Sequence, residues 1–216
     1  CAGYSDVDMV KSHLRLCGCI AHIQGIAVPH LDSCIGTNSQ EIIRQIVSHY
    51  NGSTQKDVKT LLLSILNGGS ISGWISKLSS RLSDSGAQMR HIRNTIGDHA
   101  IIIGIQQERQ SVIPAVIAHY PQAEEVLIRA QNTTHPRATR KSLFSWCLHN
   151  LEHECLVCMQ EYWHTKCTTD ARVDVFIHDG MMVWCAKPLG VQHLAECEAY
   201  VAHKLGLHIR LAETRY

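Results

Sequence analysis

Two kinds of hydrophobic spacing occur along the chain, in different regions. Across most of residues 10–166, apolar residues recur every three or four positions in successive segments, a period that predicts amphipathic helices. Near both ends, short stretches alternate apolar and polar residues, which is typical of strands. The pattern therefore predicts an α+β fold, in which a small sheet is built from the chain ends and helices are inserted between them.

The clearest predicted helix lies near residues 53–67. Ser53 or Thr54 offers a hydroxyl that can accept a hydrogen bond from the first turn, and Asn67 with the glycines after it ends the apolar period. Lys59 and Leu63 are four residues apart and therefore share a helix face. A lysine on such a face could bind a triphosphate, although a solvated lysine is the more common outcome.

Carboxylates mark the ends of two predicted strands. Asp6 and Asp8 are two residues apart on the opening strand and so point to one face. Asp179 with Gly180 forms the tip of a predicted hairpin near 172–186, whose apolar strands are expected to lie in the core. Alone, each has an ordinary explanation, Asp8 as a helix N-cap and Asp179 as part of a tight turn. Together, acids from separate strand ends suit Mg²⁺ bound between carboxylates and substrate phosphates.

Composition narrows the class of protein only moderately. The chain has 216 residues, 45% hydrophobic, which is enough for a buried core, while a net charge of +1 favours no particular partner. No apolar run reaches the length of a membrane span, and no signal peptide opens the chain. The 10 cysteines are interpreted as reduced thiols of an intracellular protein. Because the first residue is Cys1, we expect a piece of a larger protein.

The order and spacing of these motifs resemble family A DNA polymerases. Asp8, the Lys59 helix ending at Asn67, and the hairpin with His178 and Asp179 stand in the order of that family's motifs A, B and C, at about the family's intervals. The residues within the motifs are similar to those of a divergent branch of the family, found in replication proteins of viruses and mobile elements. The resemblance covers essentially the whole chain and implies a right-hand palm with an inserted helical fingers subdomain.

The resemblance implies roles for individual residues. Asp8 and Asp179 become the ligands of two Mg²⁺ ions, with Mn²⁺ as an alternative and Asp6 as a supplementary ligand. Lys59 becomes the lysine that binds the triphosphate. His13 stands where the family carries a glutamate that excludes ribonucleotides, so we hypothesise that His13 is the sugar filter.

Further residues are expected to bind nucleotide or DNA. The nucleotide is expected to contact the motif B helix at Gln55, Leu63 and Asn67 as well. His178 is expected at the primer end, with a core or turn-capping histidine nearly as plausible. The basic cluster before the long helix is expected to contact primer and template phosphates. That cluster is Arg137, Arg140 and Lys141.

Three positions depart from the family pattern. Asn67 stands where the family has Tyr, Gln55 where it commonly has a phosphate-contacting Arg, and Gly180 where it has a second acid. These departures put base selection and rate in doubt. Two alternatives therefore stay open beside a DNA polymerase: an RNA-synthesising or primer-making relative, and a catalytically degenerate nucleic-acid-binding remnant.

The resemblance also predicts the domain division and the partners. Residues 1–36 are assigned to the first part of the palm, 37–135 to the fingers, and 136–216 to the second part of the palm. The expected partners are a primed DNA template, dNTPs and the rest of a larger replication polypeptide, with no membrane. A thumb is expected to precede motif A, so the isolated piece should be weakly processive or inactive.

A second candidate site lies in the predicted long helix. His149 and His153 are four residues apart, as two zinc ligands on one helix face would be, and Cys155 and Cys158 have metal-like spacing. On a continuous helix the two cysteines would point partly away from the histidines. A structural zinc site at these four residues is therefore the less favoured alternative.

Overall fold

The computed structural model divides the chain into two compact units. The sheet unit consists of Cys1–Ile23 and Trp146–Tyr216, and the helical unit is Gln24–Ser145. Residues 24–36 and 136–145 thus belong to the helical unit, whereas the assignment of palm and fingers stays a prediction. The structure describes residues 3–50, 52–81, 99–167, 171–177, 179–185 and 189–215.

The described residues contain nine helices and four strands. The strands are β1 Tyr4–Met9, β2 Arg172–Ile177, β3 Gly180–Trp184 and β4 Leu211–Arg215. The helices are α1 Ser12–Ile23, α2 Pro29–Ile35, α3 Ser39–His49, α4 Gln55–Leu66, α5 Ile71–Arg81, α6 Ala100–Ala118, α7 Ala123–Asn132, α8 Arg140–Thr165 and α9 Gly190–Leu205. The predicted α+β class is confirmed. None of the described helices combines the length and hydrophobicity needed to cross a membrane.

The sheet joins the two ends of the chain. Its strand order is β2-β3-β1-β4, and each neighbouring pair is antiparallel. Val7 and Met9 of the central strand β1 are buried, whereas Asp6 and Asp8 are partly exposed. This two-residue alternation places the two carboxylates on the face of β1 opposite its buried side chains.

The hairpin β2–β3 differs from the sequence expectation in one respect. Both strands were expected to lie in the core, and β3 does, with Met181 and Val183 fully buried. In β2, however, Val175 and Phe176 are 54% and 40% exposed. The reason is topological, because β2 is an edge strand and its pairing with β3 is interrupted by a bulge near Val173.

Side chains cap several helix ends in the helical unit. Thr54 and Asp57 form a reciprocal capping box at the start of α4. At the other end of α4, the Arg109 guanidinium donates to the carbonyls of Ile65 and Gly69. The Glu108 carboxylate accepts hydrogen bonds from the first backbone N–H groups of α2. These polar contacts satisfy helix-end groups that have no partner within their own helix.

Candidate functional site

The β1–β3 register brings the predicted metal-binding carboxylates to one edge of the sheet unit. Asp8 pairs directly with Gly180, the first residue of β3. The backbone N–H of Met9 donates to the carbonyl oxygen of Asp179 at 3.0 Å. Two acids that are far apart in sequence therefore stand at adjacent strand ends, which is the arrangement predicted from their positions in the motifs.

Negatively charged carboxylates are crowded together at this edge of the sheet. The pKa of Asp8 is raised, chiefly by burial and then by the charges of Asp6 and Asp179 and a hydrogen bond with the Asp6 carboxyl. Asp6 Oδ1 is buried without a hydrogen-bond partner. Such a group of hard oxygen donors fits a divalent cation such as Mg²⁺, whose charge would relieve the repulsion. The three acids do not form a tight preformed cluster, because their oxygens do not all lie within 4.8 Å.

Ser12 is a residue of this edge that the sequence reasoning missed. Its hydroxyl, at the start of α1, donates to Asp179 Oδ2 at 3.2 Å. Its neighbour along the chain, His13, contacts Glu152 of α8. The only sequence signal was its position beside His13. Ser12 therefore connects the carboxylate edge to the residues around His13.

His13 lies against α8. Its Nε2 is 3.1 Å from Glu152 Oε1, and its ring centroid is 5.5 Å from that of His149. Burial raises the pKa of Glu152, but the neighbouring His13 and Ser12 side chains and the charges of both histidines outweigh it, so the net pKa is lowered. Glu152 is thus held as a carboxylate. The role of His13 as a sugar filter stays a prediction.

The predicted motif B face is exposed on α4 in the helical unit. Gln55, Lys59 and Leu63 stand one turn apart along the exposed side, while Leu62 and Ile65 point into the core. Asn67 ends the helix, and its side-chain amide donates to the Leu63 carbonyl oxygen at 2.9 Å. The lysine is thus accessible on a fixed helix face, as nucleotide binding would require.

The three basic residues predicted to contact DNA are arranged differently from one another. Arg137 is exposed in the turn before α8, and Arg140 forms an exposed ion pair with Glu124 at 2.7 Å. The Lys141 ammonium instead donates to the carbonyl oxygen of Gly68 at 2.6 Å, just past the end of α4. Lys141 therefore makes a structural contact in the helical unit, and DNA contact by all three residues stays a prediction.

The position of Gly180 explains one departure from the family pattern. A Cβ atom built on Gly180 would lie 2.1 Å from Asp8 Oδ1 and 2.7 Å from the Val7 carbonyl oxygen. Both distances are shorter than Cβ contacts allow. The space that a side chain would need is thus occupied by Asp8 itself.

The four-residue zinc alternative does not assemble. Helix α8 is continuous through residues 140–165, so Cys155 and Cys158 are buried in the core while His149 and His153 are exposed. The structure instead groups His149 with His13 and Glu152. None of the nine cysteines in the described part of the chain forms a disulfide bond. His178 lies outside the described residues, and its predicted contact with the primer end is not tested.

Comparisons with known proteins place the fold in a class. No family model matches the chain, and no curated protein does. Among solved structures, the chain is similar to the POL domain of Pol1 from M. smegmatis, described in complex with DNA primer-template and dNTP. The TM-score is 0.55 at 11% identity. The match covers 99% of this chain and 40% of the Pol1 chain. The fold is therefore polymerase-like, with a four-stranded antiparallel sheet consistent with a polymerase palm.

Proposed function

We propose that this chain is the palm and fingers module of a template-directed DNA polymerase, which extends a primer 3′ end with dNTPs. The observation that carries the proposal is the β1–β3 register, which sets Asp8 beside the Asp179–Gly180 turn. The polymerase-like fold supports it. A polymerase needs two acids at adjoining strand ends, and the order of motifs in the sequence supplies them at the matching positions.

Each carboxylate has a distinct structural support. Asp8 is presented by the central strand, and Asp179 is held by the hydrogen bond from Ser12 and by its backbone bond to Met9. Asp8 and Asp179, with Asp6, would hold two Mg²⁺ ions, which supply activation of the primer 3′-hydroxyl and stabilisation of the leaving pyrophosphate. The protein's part is to bring these oxygen donors to adjacent strand ends, where bound ions would draw them together.

The resemblance assigns nucleotide contacts to one helix in each unit. On α4, Lys59 would neutralise triphosphate charge, with Gln55 and Leu63 on the same exposed face. On α1, His13 would meet the sugar, held in place by Glu152. A bulky ring at that position would exclude a 2′-hydroxyl by its volume, as the family's glutamate does.

Primer extension tests the proposal most directly. We would use the longest available protein that contains this chain, with primed DNA, Mg²⁺ and either dNTPs or NTPs. Asp179→Asn should abolish extension, because it removes a charged metal ligand while keeping the side-chain shape. Asp174→Asn is the matched control, since Asp174 is an exposed acid on the same hairpin that bonds to Tyr4 and Arg172 instead.

The outcomes separate the alternatives. Extension with dNTPs that only Asp179→Asn abolishes supports the proposal, whereas extension with NTPs alone identifies an RNA-synthesising relative. Binding of primed DNA without any extension identifies a catalytically degenerate remnant. His13→Ala should raise incorporation of ribonucleotides, and His153→Ala, on an exposed turn of α8, should not.

A further inference from the structure

A group of potential metal ligands lies next to the carboxylate edge and is chemically unlike it. His13 comes from α1, and His149 and Glu152 come from one face of α8, three residues apart. Their ligand atoms all lie within 4.8 Å of one another. Among the described residues, it is the one group of three or more potential ligand side chains whose atoms lie close enough to hold a single ion.

We propose that His13, His149 and Glu152 form a binding site for a transition-metal ion, with Zn²⁺ as the expected occupant. Two imidazoles and one carboxylate are a ligand set that zinc uses where one coordination position is left open. Imidazole also favours zinc and its neighbours over Mg²⁺, which prefers oxygen ligands. The site is therefore selective for a different ion from the one expected at Asp8 and Asp179.

The geometry is close to what zinc requires. Ligand atoms around a tetrahedral zinc ion are about 3.3–3.6 Å apart, given bonds of about 2.0–2.2 Å. His13 Nε2 and Glu152 Oε1 are already 3.1 Å apart. The His149 ring is on the exposed side of α8, so a rotation about its side-chain bonds can bring its nitrogen closer without disturbing the core. Its exposure also gives an ion and a water molecule access to the site.

The three ligand side chains lie beside the carboxylate edge. His13 follows Ser12 on α1, and the Ser12 hydroxyl donates to Asp179 Oδ2 at 3.2 Å. An ion in this site would therefore fix the His13 ring next to the residue that holds Asp179. The site itself depends only on these residues and does not require polymerase activity.

Metal binding by the purified chain tests the proposal. After removal of metal with a chelator, Zn²⁺ would be titrated against a chromophoric competitor, with and without excess Mg²⁺. We expect one ion per chain, undisturbed by Mg²⁺. His149→Ala and Glu152→Gln should each weaken zinc binding by about tenfold or more, since even loss of an outer partner of a metal ligand has an effect of that order.

Matched variants distinguish this site from others. His153→Ala, one turn along α8, and Asp174→Asn, on the edge strand β2, should leave zinc affinity unchanged. Co²⁺ provides a second measurement: bound here it should lack the thiolate-to-metal charge-transfer band that a cysteine site gives. Circular dichroism would establish that each variant is folded.

Three results would overturn the proposal: no zinc bound by the folded wild-type chain, zinc affinity unchanged by Glu152→Gln, or a thiolate band with cobalt. If zinc binds as expected but primer extension fails, the metal site stands and the polymerase proposal falls. The two proposals can therefore fail separately.

Discussion

Replacing Gly180 by alanine is the sharpest perturbation of the carboxylate edge. The added Cβ would lie 2.1 Å from Asp8 Oδ1, 2.7 Å from the Val7 carbonyl oxygen and 3.1 Å from Asp8 Cα. The Asp8 carboxylate can rotate away, but the other two atoms belong to the central strand. Gly180→Ala must therefore displace both the Asp8 side chain and the backbone of β1.

The expected cost follows from overpacking. Inserting a methyl group into a packed site costs about 1–3 kcal/mol. For a domain of this size, each kcal/mol lowers the melting temperature by about 2–4 °C. Urea denaturation of Gly180→Ala should show this loss. Gly180→Asp, which introduces the acid that family A polymerases carry at the corresponding position, should cost at least as much and should not increase primer extension.

Gly73→Ala provides a matched control. Gly73 is exposed in α5, and a Cβ there would meet only the flexible Ser70 hydroxyl at 3.1 Å. This change should be neutral or stabilising by up to about 1 kcal/mol, because alanine favours a helix. A Gly180→Ala variant as stable as Gly73→Ala would refute the reasoning.

A double-mutant cycle locates the cause of the loss. In an Asp8→Ala background the 2.1 Å contact is gone while the Val7 contact remains, so Gly180→Ala should cost less but not nothing. The coupling between the two positions should be about 0.5–3 kcal/mol, as for residues in direct contact. Zero coupling would mean that Asp8 does not occupy the space beside Gly180.

Three further predictions concern the helical unit. Glu108→Ala should lower the free energy of unfolding by about 1.5–3 kcal/mol in urea denaturation, because the carboxylate accepts three hydrogen bonds around the start of α2; an unchanged midpoint would contradict this. Thr54→Ala should cost about 1 kcal/mol through loss of the α4 cap, and Thr60→Ala in mid-helix should cost less. The pKa of His99 is lowered from 6.5, first by burial and then by His49. Below about pH 6.5 the unfolded chain therefore binds a proton that the folded chain resists, and stability falls. His99→Gln should reduce the loss of melting temperature between about pH 7.5 and 5.5, and an unaltered loss would refute this assignment.

The sequence predicted those elements whose structure is determined by residues close together in the chain. The α4 helix is an example, since its cap at Thr54, its apolar period and its end at Asn67 all lie within one short segment. The acids at the strand ends were predictable for a similar reason, because the two-residue period fixes their face. The order and spacing of the motifs predicted the polymerase-like arrangement of the remaining elements.

Long-range packing accounts for what was missed. Alternation in β2 predicted a strand but could not show that it is an edge strand, so the exposure of Phe176 was unexpected. The His149–Glu152 spacing was visible in the sequence, but its partner His13 is brought to it only by the packing of α1 against α8. Packing within the helical unit likewise brings the Lys141 ammonium to the Gly68 carbonyl oxygen, to which it donates a hydrogen bond.

The space beside Gly180 bears on why this position lacks the acid that the resemblance predicts. If the acid had merely been replaced by glycine, an empty pocket would remain beside Asp8, and an acid introduced at 180 would fit into it. Here Asp8 itself fills that space, so this backbone can present either the Asp8 carboxylate in its observed position or a side chain at 180, but not both. Glycine at 180 is therefore part of how this chain holds Asp8, and the proposed metal ligands are Asp8, Asp179 and Asp6, whose buried Oδ1 has no hydrogen-bond partner.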